Sequence, residues 1–379
     1  MGNLFLFSSA KFCHIDLIEA AFDIQRRTPA IICCRNDVLH SSVLVLDTVV
    51  MSYGVNAIFL SLLMLFHGCS GSSQPVQLKY KATGQSPEVL AVYEAWFGLP
   101  THISVGYSSH DAEVIRTQIR KAKDMGVSGF VVDWYGDREP FIDQSYALMQ
   151  SVAAKNKFNI AMMYEESGQE DGATDEVIAD FTMFHDTYLA QNAPGHQAYL
   201  TYQGRPVIFV FPRSSHTDWA KVRSVVDKWS IPPLLIQENL PGPHPDAFDG
   251  FYPWVKGWAP DGSNWGESYL SDFYHTMATD HPDKIIVGGA WPQFDDRKAS
   301  WSLNRHISAR CGQTFKDTVD LWRKFFPADQ TIPFMLIGTW NDYEEGSEIE
   351  PGIPTCADQS PANPLKGEGK SGSAPTAKQ

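Results

Sequence analysis

Phe334-Met-Leu-Ile-Gly-Thr-Trp-Asn-Asp-Tyr-Glu-Glu-Gly-Ser-Glu-Ile-Glu-Pro351 is an apolar run that stops at Gly338 and then releases five acidic residues between Asp342 and Glu350. An apolar run of this length reads as a buried strand. Acids crowded at its end are costly, because like charges in a partly desolvated place repel and raise one another's pKa. Chemistry that uses one protonated and one ionised carboxyl needs that arrangement. A solvated acidic loop is the plain alternative. Trp340, Asn341 and Tyr343 interleave with the acids, which favours a ligand-facing site.

Working outward, the same kind of run recurs. Strand-like stretches fall at Val89–Phe97, Ser128–Tyr135, Phe158–Glu165, Pro206–Phe211, Leu234–Glu238, Phe248–Trp254, Lys284–Trp291 and Pro333–Trp340. Helical stretches lie between most of them: Asp111–Met125, Phe141–Lys155, Asp175–Ala190, Asp218–Trp229, Tyr269–Asp280 and Gly312–Phe326. The first has apolar residues at helical spacing, with Asp111 placed to cap its start and Gly126 just past its end. The stretch between the fifth and sixth strands, Leu240-Pro-Gly-Pro-His-Pro245, is too short and Pro-rich for a helix. This alternation predicts an α/β fold, a (β/α)8 TIM-type barrel over residues 88–353 that lacks a regular last helix. A doubly wound open sheet is the runner-up. It wants a glycine-rich phosphate turn after the first strand, where this chain has Tyr93-Glu-Ala-Trp-Phe-Gly-Leu-Pro100.

Barrel enzymes work at the carboxyl ends of their strands. Those ends carry Glu94, Asp133, Glu165, Glu238, Asp295 and the pair Asp342 and Glu345, usually beside an aromatic ring. Glu165 and Glu166 face opposite ways along a strand, and Glu165 is expected to face the centre. Asp342 and Glu345 meet only in a tight turn, for which Gly346 supplies the backbone freedom. The expected site therefore has Glu345 and Asp342 as catalytic carboxyls. Glu165, Asp133, Glu94, Trp134, Tyr107, Trp254, Trp291, Trp340, Asn341 and Tyr343 are expected to contact substrate. Glu94 could instead pair with Arg213 as a structural acid. No metal is expected, since the twelve-residue calcium loop is absent, although a structural calcium on these acids is the rival reading.

A net charge of -14 over 379 residues excludes a phosphate-backbone partner, which requires a basic surface. Val55–Phe66 is an apolar run broken by Asn56 and Ser61, followed by Gly68-Cys69 and a Gly/Ser stretch. It is short for a membrane span and suits a signal-peptide core. Residues 1–69 therefore read as an over-extended start and a signal or lipoprotein signal segment, with a lipid anchor at Cys69. Residues 70–87 read as a linker and 354–379 as a disordered tail or linker stub. The protein is expected to be exported. Of six cysteines, Cys311 and Cys356 would then remain as candidates for a pair, and their spacing does not say whether they meet.

Trp340-Asn-Asp-Tyr-Glu-Glu-Gly-Ser-Glu-Ile-Glu-Pro351 resembles the Asn-Glu-Trp-His-Glu-Gly-Thr-Gln-Ile-Glu-Pro signature of glycoside hydrolase family 99, the endo-α-1,2-mannosidases and mannanases. Val105-Gly-Tyr-Ser-Ser-His-Asp111 and Met163-Tyr-Glu165 resemble two further stretches of that family. The Trp-Asn-Asp-Tyr opening is closer to the related family 71, the α-1,3-glucanases. The resemblance covers about residues 88–353 and implies a (β/α)8 barrel with no cofactor. It implies Glu345 as the acid that protonates the leaving oxygen and Asp342 as the base, assisting the sugar's own 2-hydroxyl. Asp342 stands where family 99 has Glu, which shortens the arm by about 1.5 Å. A family 71-like inverting route through a water is the alternative. The expected function is an endo-acting glycosidase on an α-mannan-like or α-glucan-like polysaccharide. A non-catalytic carbohydrate-binding barrel and a polysaccharide-assembly protein are the other readings.

Overall fold

The computed structural model describes residues 86–166, 173–213, 216–256, 265–327 and 330–356. Eight strands run parallel: β1 (Glu88–Tyr93), β2 (Gly129–Trp134), β3 (Asn159–Glu165), β4 (Arg205–Phe211), β5 (Leu234–Glu238), β6 (Gly250–Tyr252), β7 (Ile285–Ala290) and β8 (Phe334–Ile337). Each pairs with the next in sequence, β3 joins β4 through Met162↔Ile208, and β8 closes on β1 through Glu88↔Phe334. The ring is complete, as the strand and helix alternation predicts. Helices α1 (Ala112–Asp124), α2 (Pro140–Asn156), α3 (Ala173–Phe184), α4 (Trp219–Val226), α5 (Glu267–Asp280) and α6 (Gln313–Leu321) cover it. Only a single 3₁₀ turn, Pro245–Ala247, stands between β5 and β6, and among the described residues no helix follows β8.

Side-chain parity divides the core in two. Leu90, Val92, Val131, Ala161, Met163, Val207, Phe209, Leu234, Ile236, Tyr252, Ile285, Val287, Phe334 and Leu336 fill the barrel. The alternate residues, such as Tyr93, Phe130, Val132, Ile160, Tyr164, Val210 and Phe251, pack outward among the helices. Successive strand residues point to opposite faces, so each inward row, continued two residues further, reaches the barrel mouth. The α1 cap is as expected: Asp111 Oδ1 accepts from Glu113 N at 2.8 Å, and Ile115, Ile119 and Ala122 are buried.

Three strands stop two or more residues before the end of their apolar runs. The first stops at Tyr93, the sixth at Tyr252 and the eighth at Ile337, because the residues beyond leave the ladder to build the mouth. Two antiparallel pieces lie outside the predicted set. Thr201–Tyr202 folds back on β4, and Phe294–Asp295 pairs with His306–Ile307 in the loop after β7. Cys311 and Cys356 are joined by a disulfide, 45 residues apart, that ties the chain after β8 to the start of α6. The expected signal segment, Cys69 and the tail from 357 onward lie outside the described residues.

Candidate active site

The loop after β8 is built around Asp342. Its N–H donates to Thr339 Oγ1 at 2.8 Å, and its Oδ1 accepts from the N–H groups of Glu344 and Glu345, each at 2.9 Å. Ser347 N–H returns to Asp342 O at 3.2 Å. Gly346 lets the chain turn, with φ +60, and a Cβ there would come within 3.2 Å of Asp295 Cβ. This turn puts Asp342 and Glu345 on one side. Asn341 points away from them and latches the loop to β1: its Oδ1 accepts from Glu94 N at 2.8 Å and its Nδ2 donates to Glu94 O at 3.0 Å. Asn341 therefore positions the backbone of another strand's acid.

Across the mouth, the inward rows of β1, β2 and β3 end in Glu94, Asp133 and Glu165. These three, with Asp342 and Glu345, line one cleft of about 470 Å³ whose walls include Trp96, Phe211, Arg213, Trp254 and Trp301. Arg213 forms an ion pair with Glu165, so it is Glu165 and not Glu94 that this arginine neutralises. Tyr135 OH donates to Asp133 Oδ2 at 2.8 Å. Glu345 Oε1 accepts from Trp301 Nε1 at 3.0 Å and lies 3.6 Å from Arg305 Nη2.

Burial is the leading influence on Glu94, Asp133, Asp342 and Glu345, and it raises their pKa. Glu94 is pushed well above the usual carboxylate range by burial and then by the charges of Asp133, Asp342 and Glu345. Asp342 is also pushed well up, by burial and by Glu345, against the pull of the backbone donors on its Oδ1. Glu345 is raised by burial, while Trp301, Arg305 and Arg213 work the other way. Asp133 is pushed up to about 6, with Tyr135 the main opposing influence. Glu94 Oε2 and Asp133 Oδ1 are buried without a donor. The influence of these two carboxyls on each other raises Glu94 and holds Asp133 down. Such a set cannot be fully ionised, so the cleft keeps protons at a pH where free carboxyls have lost theirs.

The sequence matches the family model of glycosyl hydrolase family 71 over residues 101–366, well over half of the chain. The chain belongs to glycosyl hydrolase family 71. It is a glycosidase. Among solved structures it is similar to a family 99 endo-α-mannosidase from Bacteroides thetaiotaomicron, in complex with bis-tris propane, at 21% identity and a TM-score of 0.55, covering 69% of this chain and 86% of that one. A second structure of that enzyme gives 19% identity, a TM-score of 0.55 and coverage of 69% and 87%. A glycoside hydrolase-like protein follows at 14% identity and a TM-score of 0.52, covering 73% and 89%. At these identities the likeness is one of fold. No curated protein matched the sequence.

In this family 71 chain the cleft gathers Glu94, Asp133, Glu165, Trp254, Asp342 and Glu345 from the expected residues. Six others stand behind its walls. Trp134 has the opposite parity to Asp133; it is fully buried against α2, with its Nε1 donating to Asp143 Oδ1 at 3.0 Å. Trp340 packs on Phe130, ring centroids 5.2 Å apart, outside the barrel. Trp291 is buried and donates to Trp265 O at 3.0 Å. Asn341 is the latch already described. Tyr107 and Tyr343 both donate to Glu350 Oε2, at 3.0 and 3.1 Å. Glu350 thus fastens the loop to its surroundings, and Glu344 does the same through His102 Nδ1 at 2.7 Å. The acid-rich motif is part chemistry and part scaffold.

Tyr135, Arg305 and Trp301 were not expected at the site. Trp301 and Arg305 sit in the long stretch between β7 and α6, which carries no strand or helix pattern. Its length was the available signal, since long irregular loops in compact domains are usually functional. Among the described residues no group of three or more His, Cys, Asp or Glu side chains is arranged to hold a metal ion.

Proposed function

We propose that this cleft hydrolyses internal α-linkages of a polysaccharide, an α-glucan or α-mannan, with Glu345 as general acid and Asp342 as general base or its assistant. The observation that carries the reading is the convergence of Asp342 and Glu345, from one turn, with Glu94, Asp133 and Glu165 in one cleft at the carboxyl end of the barrel. Glu345, raised by its surroundings, delivers a proton to the bridging oxygen as the bond to the leaving sugar breaks. Asp342, fixed through Oδ1 by two backbone donors, takes the proton of the attacking hydroxyl with its other oxygen. Glu94, Asp133 and Glu165 with Arg213 receive the hydroxyls of the sugar whose bond is cut, and Trp254 with Phe211 supplies a ring wall. The reaction needs no cofactor, because two carboxyls and a distorted sugar suffice. The family 99 fold relative is an endo-α-mannosidase, and this, with the family 71 membership, supports an α-linked substrate.

We further infer that the protein is exported. The Cys311–Cys356 disulfide supports this, since such bonds persist in oxidising compartments.

The test is a screen of the purified protein against α-1,3-glucan, α-1,2-mannan and α-1,3-mannan, with products sized over time. Internal cutting gives mid-length products early and is the expected result. Binding of these glycans without any cutting would mark a carbohydrate-binding barrel instead.

A further inference from the structure

The segment between β7 and α6 is firmly built for an irregular loop. Fully buried Asp296 accepts from Ser302 Oγ at 3.0 Å, Leu303 N at 3.1 Å, Arg305 N at 2.8 Å and Arg305 Nε at 2.7 Å. Asp295 N–H donates to Glu345 O at 2.7 Å and joins the segment to the loop after β8. A buried aspartate with four donors holds a short loop in one conformation. The loop then presents Trp301, 41% exposed, at the mouth of the cleft. Exposing an indole costs solvation unless something covers it.

Trp301 sits at the one place where its ring and its N–H serve different ends. The N–H is spent on Glu345 Oε1 at 3.0 Å. The ring leans edge-on to Trp96, centroids 6.4 Å apart, and to His102 at 6.3 Å. Those two rings stack on each other at 4.6 Å, and His102 is held by Glu344. The result is an aromatic corner formed by the loops after β7, β8 and β1. Of the sugar-hydroxyl partners proposed above, Asp133 and Glu165 stand at the ends of β2 and β3 and Arg213 just after β4, across the barrel mouth, while Glu94 follows β1 beside this corner.

Resting on the proposed function, we propose that Trp301 is the platform of the leaving-group subsite. The sugar on the departing side of the cut bond stacks on its exposed face, while its N–H keeps Glu345 aimed at the bridging oxygen. A flat ring beside the acid recognises any pyranose by its apolar face, so Trp301 sets the demand for a sugar, and not merely a good leaving group, on that side.

The experiment compares wild type, Trp301→Phe and Trp301→Ala on two substrates of the same donor sugar: an α-linked oligosaccharide and an α-glycosyl fluoride, whose leaving group is too small to reach the ring. On the oligosaccharide, Trp301→Ala should raise KM by about ten- to a hundredfold, as expected for truncating an aromatic anchor. Trp301→Phe keeps a ring and loses the N–H, so KM should stay within about threefold while kcat falls about tenfold, the usual effect of one lost hydrogen bond. On the glycosyl fluoride the KM of Trp301→Ala should be unchanged. Equal KM increases on both substrates, or none on the oligosaccharide, would overturn the subsite. If the wild type cuts neither substrate, the proposed function fails. Calorimetric binding of the oligosaccharide then decides the subsite alone: weakening by Trp301→Ala supports it, and equal or absent binding overturns it.

Discussion

The cleft holds two carboxyl pairs that the fold treats differently. Asp342 and Glu345 come from one turn and arrive with donors: two backbone N–H groups for Asp342, Trp301 and Arg305 for Glu345. Glu94 and Asp133 come from adjacent strands, and each keeps a buried oxygen with no donor. A carboxyl supplied with donors by the protein is aimed and poised before substrate arrives. One left wanting a donor costs free energy until something fills the need, and a sugar hydroxyl is such a donor. On the proposed function, the first pair does the chemistry and the second binds. Neither pair alone makes a glycosidase; what they share is burial, which raises the pKa of all four carboxyls.

The largest way to break this contrast is Asp342→Asn. The amide cannot accept the attacking hydroxyl's proton, and kcat should fall on the order of 10²–10⁴-fold on natural glycan and on activated aryl glycoside alike. Loss on only one of the two would mean Asp342 does not serve the attacking side. Glu94→Gln acts on the other pair. It replaces one of the two oxygens that want a donor by an amide nitrogen, so oligosaccharide binding by calorimetry should weaken about tenfold with kcat little changed. A kcat loss as large as that of Asp342→Asn would erase the distinction between the pairs.

The smallest effect is expected at Glu238, a buried acid outside the cleft. Burial pushes it up to about 7, with Lys256 opposing. In the unfolded chain it ionises near its ordinary value, so the folded state increasingly bears the cost as pH rises from about 4 through 7. Glu238→Gln removes that cost. Thermal or denaturant unfolding should find the variant about as stable as wild type at pH 4, and more stable by on the order of 2 kcal/mol at pH 8. An equal change at both pH values would contradict a neutral buried Glu238.

Much of this was readable from residue order. The apolar runs and helical spacings gave all eight strands and the six helices between them, because burial on both faces of a parallel strand leaves little sequence freedom. The Leu240–Pro245 stretch correctly argued against a helix. Strand parity lets only one of Glu165 and Glu166 face the centre, and the Ser-Gly pair that follows Glu166 in the sequence reads as a turn and favours Glu165; the structure puts Glu166 behind the wall, where it accepts from Arg213 N at 3.0 Å. The same parity rule excludes Trp134 from the cleft once Asp133 is placed there, since neighbours on a strand face opposite sides. Aromatic residues beside acids are a weak guide for this reason: Trp134, Trp291 and Trp340 are core. Trp301 and Arg305 were illegible because they reach Glu345 through tertiary contacts of an irregular loop. The Asn341 latch and the Glu350 fastening likewise depend on which strand closes against which.

The central claim is that Glu345 delivers the proton to the leaving oxygen, and Glu345→Gln tests it most directly. The amide keeps size and most hydrogen bonding but carries no proton to give. Hydrolysis rates of this variant should be measured on natural α-glycan and on an aryl α-glycoside with a good leaving group, with folding and glycan binding checked in parallel. The account predicts a fall of about 10²–10⁴-fold on the glycan, a much smaller fall on the aryl glycoside, and near-normal binding. A wild-type rate on the natural glycan, or equal losses on the two substrates, would contradict it and turn attention to Glu165.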